Sequence, residues 1–439
     1  MGHASSNSSV YLPVVQNGYT TLAGQTTLAS RHTDGMQGNG DSNLSSISAN
    51  GRYVVFDSEA TNLVINDTNG NWSDIFVHDR MTGQTTLVSR HTDGTQGNNK
   101  SWNPSISADG RFVAFTSNST NLVSIHTQGT HVFVHDRQTG QTVHVSRRAD
   151  GTHANVGAGS ASISADGRFV VFVSFSDNLV DNDTNRCLDV FVNDLQTGQI
   201  TRVSRHTTGI QGNGHSERPS ISADGRYVAF DSEATNLVDD EANGILQDIF
   251  VHDRMMGQTT LVSRHVDGTQ GNNESTSPSI SADGRFVTFE SDADNLVESD
   301  VNGTQDVFVH DRMTGQTTLI SRHLNGSLGN QQSSSPTISV DGRFVAFTSH
   351  ASNLVAGDVN GFPDVFLHDR TTEQTTIASR HSGGMQGNGN SGDASISADG
   401  RFVAFRSLAT TLSDNDTNDA MDVWVYERLS SINRATVQD

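Results

Sequence analysis

The sequence is short of cysteine, of positive charge and of long apolar runs. Its single cysteine, Cys187, cannot form a disulfide within the chain. Lysine and arginine total 27 against 49 aspartates and glutamates, a net charge of −22, which argues against nucleic acid or an anionic membrane surface as partner. No apolar run reaches the length of a membrane span. The composition therefore favours cations, or basic and neutral molecules, as partners, and predicts no membrane insertion.

Helical patterning and a signal peptide are also missing. No segment carries an apolar stripe at helical spacing over three turns, which predicts an all-β chain. The first residues lack the pattern of a signal peptide. Lysine is nearly absent, whereas Asn, Thr and Gly are abundant. This surface chemistry favours a secreted or periplasmic protein.

What the chain does contain is a repeat of 57 to 59 residues, marked by the glycine of Ser-Ala-Asp-Gly-Arg and its variants. The marker glycine recurs seven times, at Gly51, Gly110, Gly167, Gly225, Gly284, Gly342 and Gly400. A fixed period of this length is typical of propellers and solenoids. We therefore expect one repeat domain of seven units over residues 24–428, between tails 1–23 and 429–439.

Each unit holds four strand-like runs, which in the sixth unit are 336–340, 343–348, 364–370 and 374–380. Asp341-Gly342 suits a tight hairpin between the first two runs. The second run is apolar on both sides, as a strand covered by two neighbouring blades must be. The sequence thus predicts a seven-bladed β-propeller with four antiparallel strands per blade. The predicted blades start near residues 44, 104, 161, 219, 278, 336 and 394.

The chain begins inside a unit and ends inside another. Residues 25–31 match a fourth strand, whereas the last unit stops after its third strand, 422–428. We expect residues 25–31 to supply the outer strand of the seventh blade and so to close the ring.

The long loops of such a meander share one face. The connection from second to third strand and the crossover to the next blade lie at the same end, and the two short hairpins lie at the other. Functional sites are usually carried by long loops on a rigid scaffold. We therefore expect any site on this long-loop face.

The connections from second to third strand repeat the pattern Asp-x-Asn-Gly-x-x-Asp. Oxygen side chains on alternate residues, a glycine and a later carboxylate suit a hard cation such as Ca²⁺. The alternative is that Asp and Asn only cap their own turns. The predicted calcium ligands are Asp67, Asn69, Asp74, Asp181, Asp183, Asn185, Asp189, Asp240, Glu241, Asn243, Asp248, Asp300, Asn302, Asp306, Asp358, Asn360, Asp364, Asp414, Asp416, Asn418 and Asp422.

The second unit breaks this pattern, because residues 126–131 read His-Thr-Gln-Gly-Thr-His without a carboxylate. We expect no calcium there. Zinc bound by His126, His131 and His135 is disfavoured, because His135 matches a repeated histidine at the far end of the third strand. Trp72 and Trp102 lie in neighbouring long connections.

The sequence thus predicts a ligand-binding site that breaks the sevenfold repeat, beside blades one and two. Its predicted residues are Trp72, Trp102, His126, His131 and His153. Exposed aromatics could stack on sugar rings or anchor a peptide. The alternative is ordinary loop packing.

No catalytic residues are assigned. The tripeptide His-Asp-Arg recurs at the short-turn end of most third strands, as at 78–80 and 310–312. Repetition there indicates a local structural role, such as setting the turn. No Gly-x-Ser-x-Gly nucleophile motif is present.

The cassette Pro-Ser-Ile-Ser-Ala-Asp-Gly-Arg-Phe-Val-Ala-Phe, followed by Asp-Val-Phe-Val-His-Asp-Arg, resembles the TolB-type, WD-related propeller repeat of bacteria. The resemblance covers about residues 24–428. It implies a bacterial secreted or periplasmic propeller. Related propellers bind proteins, gate peptidases, or bind or cleave polysaccharides.

Three functions follow as hypotheses. The first is a calcium-stabilised scaffold, without enzymatic activity, that binds a protein or glycan on the long-loop face. The second is a polysaccharide lyase or hydrolase with its site at the channel mouth. The third is a structural repeat protein of a surface layer. An enzyme should break the repeat with a unique acid or base, and the sequence offers only histidines, so binding is favoured.

Overall fold

The computed structural model describes residues 14–16, 19–21, 24–125 and 128–429. Thirty strands and no helix lie in these ranges. None of the described residues therefore forms a helix that could cross a membrane. Two short strands, Val14–Gln16 and Tyr19–Thr21, pair only with each other.

The other strands form seven four-stranded antiparallel sheets, as predicted. The first, second, third and fourth strands of blades 1 to 3 are Ser42–Ile47, Tyr53–Ser58, Asp74–Asp79, Gln84–Leu87; Ser101–Ile106, Phe112–Ser117, His131–Asp136, Gln141–His144; and Ala158–Ile163, Phe169–Ser174, Asp189–Asp194, Gln199–Arg202. Those of blades 4 to 6 are Ser216–Ile221, Tyr227–Ser232, Asp248–Asp253, Gln258–Leu261; Ser275–Ile280, Phe286–Ser291, Asp306–Asp311, Gln316–Leu319; and Ser333–Ile338, Phe344–Ser349, Asp364–Asp369, Gln374–Ile377. Blade 7 contains Ser391–Ile396, Phe402–Ser407 and Asp422–Glu427.

The N-terminal strand Gln25–Leu28 completes blade 7 by pairing with Asp422–Glu427. The closing strand lies within the predicted 25–31 and is shorter. Seven backbone hydrogen bonds between adjacent blades also run in a closed circle near the first hairpins. Each N–H donates to the carbonyl oxygen of the next residue in the order Ala49, Ala108, Ala165, Ala223, Ala282, Val340, Ala398 and again Ala49, at 3.0–3.2 Å.

The core lies between blades rather than within one. Second and third strands are almost wholly buried, because each sheet is covered on both faces by its neighbours. Each of the seven apolar clusters joins residues of adjacent blades, and the cluster around Phe56 also contains Val425 of blade 7. Most of the phenylalanines are buried in these clusters, where valine, isoleucine, leucine and alanine pack around them.

The glycine of each first hairpin packs against the preceding blade. At Gly51 the backbone φ is +70°, and an added Cβ would lie 2.0 Å from the ring of Phe402. The guanidinium of Arg80 covers the same ring at 4.4 Å and donates to the Gly51 carbonyl oxygen at 2.7 Å. Both the turn and the close approach require glycine here.

The repeated His-Asp-Arg residues have structural partners at this short-turn face. The Nδ1 of His310 lies 2.9 Å from the hydroxyl of Thr317. Asp311 accepts two hydrogen bonds from Arg285, at 2.9 and 2.7 Å. Because each side chain has such a partner, the repeat itself is explained by the packing of the blades.

Candidate functional site

A polar network fastens the base of each acidic loop, and blade 6 shows its parts. The Asp364 carboxylate is buried and accepts a hydrogen bond from the Ser379 hydroxyl at 2.5 Å. Its other oxygen accepts from Asn360 Nδ2 at 2.9 Å and from Gln386 Nε2 at 2.7 Å. Gln386 Nε2 also donates to Asp358 at 2.7 Å, so one amide nitrogen bridges two carboxylates.

The crossover folds locally to deliver this glutamine. Arg380 and Gln386 pair across a tight turn that Gly384 closes with a φ of +88°. Asn360 Nδ2 donates to the Gly387 carbonyl oxygen at 2.9 Å and so ties the acidic loop to the crossover. Both kinds of long loop therefore lie together on one face, as the strand directions predicted.

The same bridge recurs around the ring. Glutamine nitrogens join Asp67 to Asp74 through Gln96, Glu241 to Asp248 through Gln270, and Asp416 to Asp422 through Gln37. In blade 3 the Arg202 guanidinium performs this role, with Nη1 at 3.2 Å from Asp183 and 3.7 Å from Asp189. In blades 1, 3, 4, 6 and 7 the predicted ligand pairs thus come together, with an N–H donor of the protein between them.

Three predicted ligands lie apart from these pairs. Asp181 and Asp414 are exposed and face Arg148 and His381, while Asp240 is exposed at the loop surface. Within the described ranges, no group of three or more His, Cys, Asp or Glu side chains could hold a metal ion. Calcium at several loops therefore stays a prediction.

Burial dominates the electrostatics of the third-strand carboxylates. It raises the pKa of Asp74, Asp189, Asp248, Asp306, Asp364 and Asp422 to about 6, against the hydrogen bonds that favour the charged form. These groups are mostly ionised at neutral pH. In the ionised form, both oxygens of each carboxylate can accept the hydrogen bonds directed at them, as Asp364 does from Ser379, Asn360 and Gln386.

Blade 2 replaces this network with histidines. His131 stands where the other blades have the buried aspartate, and His153 stands where five of the other six have a glutamine. The Nδ1 atoms of His153 and His144 lie 2.9 Å apart, and the His131 and His144 ring centroids are 4.7 Å apart. The predicted His131 and His153 thus meet through His144, which sequence reasoning missed because it lies on the outer strand.

The His131 and His144 rings are held as neutral imidazoles. His131 is 3% exposed and its Nε2 lies 2.9 Å from the Gln128 carbonyl oxygen. Burial lowers the pKa of both, that of His144 to about 2. A cavity of about 600 Å³ lies beside the cluster, lined by His144, Ile125 and Arg147 among others.

The predicted tryptophans lie near one another on the same face. Trp72 is half exposed in the blade 1 loop. Trp102 is in the first strand of blade 2 rather than in the crossover, and the Lys100 ammonium lies 4.9 Å from its ring centre. The hydrogen bond from Ser101 N to Ser73 O, 2.7 Å, links the residues beside the two tryptophans. The predicted His126 lies outside the described residues.

A second set of polar residues was missed by the sequence reasoning. The fifth residue of the second strand varies, although its neighbours repeat; it is Asp57, Thr116, Val173, Asp231, Glu290, Thr348 and Arg406 in blades 1 to 7. Its side chain faces first strands: Glu290 accepts from Ser335 N of the next blade at 2.6 Å, and Asp231 accepts from Arg218 of its own blade. This variation inside a constant motif was the signal available.

Two of these residues are buried carboxylates with raised pKa values. Burial raises the pKa of both Asp57 and Asp231 to about 7. Each keeps one oxygen without a hydrogen-bond partner among the described residues. The other Asp231 oxygen accepts from Arg218 at 2.9 Å. Groups of this kind can exchange protons near neutral pH.

Comparisons with known proteins reveal the fold. No family model and no curated protein matches the chain. A solved oligogalacturonate lyase in complex with manganese is 14% identical, with a TM-score of 0.55 over 96% of this chain and 97% of that one. The β-propeller domain of the Trilobed protease from Pyrococcus furiosus, described as an open velcro topology, is 11% identical, with a TM-score of 0.52 over 91% and 99%.

A TolB from Acinetobacter baumannii is also similar, at 16% identity and a TM-score of 0.41 over 86% of this chain and 81% of that one. At 14% and 11% identity, the likenesses to the lyase and to the protease domain are evidence for the fold alone. The chain is a seven-bladed β-propeller closed by its N-terminal strand, and the solved structures similar to it include TolB and other propeller proteins.

Proposed function

We propose that this propeller is a binding scaffold that engages a protein partner through its long-loop face. The observation that carries the proposal is the number of large apolar side chains exposed there. They are Met36, Ile65, Trp72, Ile125, Val156, Ile210, Ile245, Val266, Val301, Leu324, Val359, Phe362 and Met385, between 44% and 85% exposed. Apolar side chains gathered on one face favour an interaction site, because contiguous exposed apolar patches usually mark one.

The chemistry of the face indicates the partner. The exposed side chains are mainly aliphatic, which suits a protein better than a sugar, whose rings stack on aromatics. Carboxylates such as Asp181 and Asp239 stand among them, and the chain carries a net charge of −22. A partner with apolar anchors and basic flanks is complementary to this surface.

Secretion or residence in the periplasm is part of the proposal, supported by the sparse lysine and the polar Asn, Thr and Gly surface. Calcium binding in the acidic loops is likewise proposed, supported by their paired carboxylates. A glycan ligand is the second occupant of the same face, supported by half-exposed Trp72 and Phe362.

A peptide array tests the scaffold proposal. Probes of matched apolar content carry basic, neutral or acidic flanks. We expect basic probes to bind the wild-type chain best. The triple variant Ile245→Ser, Val301→Ser, Val359→Ser should weaken binding at least about tenfold, because these side chains are 80–85% exposed and few interface residues carry most of the affinity.

The matched control lies on the opposite face. Met81, Met255 and Met313 are 76–77% exposed at the short turns, and their serine variants should bind like wild type. Equal loss in both triple variants would overturn the proposal. The glycan would be favoured over the protein partner by a different result: neutral oligosaccharides bind, this binding is lost when Trp72 is replaced, and no peptide binds.

A polysaccharide-active enzyme is the alternative, favoured by the raised pKa values of Asp57 and Asp231 beside the first strands. Neutral polysaccharides and oligogalacturonate would be incubated with the chain and new chain ends measured. The scaffold proposal predicts no cleavage. Cleavage that Asp231→Asn abolishes, and that the surface control Asp239→Asn leaves intact, would establish the enzyme instead.

A further inference from the structure

Blade 5 lacks the bridging donor that joins the carboxylates of other acidic loops. Its crossover carries Leu328 at the position that Gln386 holds in blade 6, and both pair with the arginine that begins the turn. A leucine side chain ends one atom short of the glutamine nitrogen and offers no N–H. Leu328 packs instead against the apolar cluster around Leu296.

The two carboxylates of blade 5 are consequently buried with few donors. Asp300 is 7% exposed, and among the described residues its carboxylate receives only the backbone N–H of Asn302. Asp306 is wholly buried; one oxygen accepts from Ser321, and the other accepts only from Asn302 Nδ2 at 2.7 Å. In the same loop the buried hydroxyl of Thr304 has no hydrogen-bond partner among the described residues.

Within the part of the chain that the structure describes, no positive charge is found beside this pair. Burial raises the pKa of Asp300, and nearby Asp294 raises it further. Burial likewise raises the pKa of Asp306 to about 6, and Asp300 adds to that shift. Buried carboxylates without a cation or sufficient donors are costly, and the other acidic loops contain a nitrogen donor at this point.

Blade 6 gives the geometry of the missing group, because its loop has the same length and spacing. Gln386 Nε2 lies 2.7 Å from both Asp358 Oδ1 and Asp364 Oδ2. Calcium binds carboxylate oxygens at about 2.3–2.6 Å. A cation at the equivalent point in blade 5 would therefore need only a small approach of the two carboxylates.

We propose that blade 5 binds one Ca²⁺ between Asp300 and Asp306, with the Thr304 hydroxyl as the further protein oxygen. A cavity of about 630 Å³, lined in part by Thr304, Gln305 and Asn330, gives solvent access beside the loop. This inference rests on the calcium part of the proposed function. It reduces the candidate calcium sites from six acidic loops to the loop of blade 5. In the other five acidic loops the protein supplies its own nitrogen donor, and the blade 2 loop has no carboxylate.

Two reciprocal variants test the site. Wild type should bind one Ca²⁺ per chain by calorimetry, with its melting temperature several degrees higher in millimolar CaCl₂ than in EDTA. Leu328→Gln should restore the bridge, melt higher than wild type in EDTA and lose the calcium response. Gln386→Leu should open the matching pair in blade 6 and lower the melting temperature in EDTA, but leave the stoichiometry at one, because Phe362 stands there in place of the Thr304 hydroxyl.

Asp300→Asn is the second loss variant and should abolish binding while circular dichroism confirms folding. No calcium binding by wild type at millimolar concentration, or unchanged binding by Leu328→Gln, would overturn the site. The site would also be overturned if the melting temperature rose from pH 7 to pH 5 but did not respond to calcium. That result would mean that Asp300 and Asp306 are stabilised by sharing a proton and not by a metal ion. Peptide binding by Leu328→Gln in EDTA tests the scaffold separately, because that variant keeps the loop fastened without metal.

Discussion

At the scale of single residues, the repeated polar side chains hold the blades together. His310 is buried against Thr317, whose hydroxyl also donates to the Arg264 carbonyl oxygen of the preceding blade at 2.5 Å. Burial lowers the pKa of His310 to about 4. The protein therefore holds this imidazole neutral at physiological pH, which is what the stacked interface requires.

Such a histidine makes stability depend on pH. The unfolded chain binds the proton first, near pH 6.5, so the stability is complete above that value and is lost as the pH falls towards 4. Asp306 changes the unfolding free energy in the opposite direction. Because its folded-state pKa is raised to about 6, the folded protein gains stability from this group as the pH falls from 6 to 4. A single variant is needed to separate the two effects.

His310→Asn provides that separation, because blade 3 naturally has Asn193 at this position. We expect the variant to fold at pH 7. Its loss of unfolding free energy between pH 7 and pH 4 should be smaller than that of wild type by on the order of 2–3 kcal/mol. Urea titrations at both pH values measure this, and parallel pH profiles would contradict the buried neutral histidine.

At the scale of elements, the acidic loops are fastened at their bases and free at their tips. Asn360 donates to Asp364 and Gly387 and accepts from Phe362 N at 2.9 Å. Val359, next to it, is 85% exposed. This division lets the tips vary for recognition while the base keeps its geometry.

The fastening can be measured in blade 6. Asn360→Ala removes three hydrogen bonds and leaves the buried Asp364 under-satisfied, so we expect a loss of about 2–4 kcal/mol of unfolding free energy. Val359→Ala, at the exposed neighbour, should change it by less than about 0.5 kcal/mol. Chemical denaturation compares the two, and equal effects would contradict a structural role for the asparagine.

At the scale of the whole molecule, the period of the repeat predicted the ring, its closure and the face that carries the long loops. Local pattern was sufficient because the same turn glycine, such as Gly51, meets the same environment in every blade. The prediction that Trp102 lies in the crossover was wrong. Trp102 lies in the first strand of blade 2, because a bulge there extends this strand towards the crossover.

The bridging role of Gln386 and the meeting of His144 with His153 were beyond sequence reasoning. Each contact joins residues in elements of different kinds that the crossover turn brings together: Gln386 meets Asp358 of the acidic loop, and His153 of the crossover meets His144 of the outer strand. Asp57 and Asp231 were also hidden, because the burial that raises their pKa values arises only when the chain folds.

The most direct test of the account compares two N-terminal deletions by thermal unfolding. Removing residues 1–23 should leave the melting temperature within about 2 °C of wild type, because the closing strand remains. Removing residues 1–31 takes away the strand that pairs with Asp422–Glu427 and the Ser30 hydroxyl that donates to Asp422. We predict a fall of at least about 5 °C for that deletion; equal melting of the two deletions would contradict the closed ring and, with it, the shared face of the long loops.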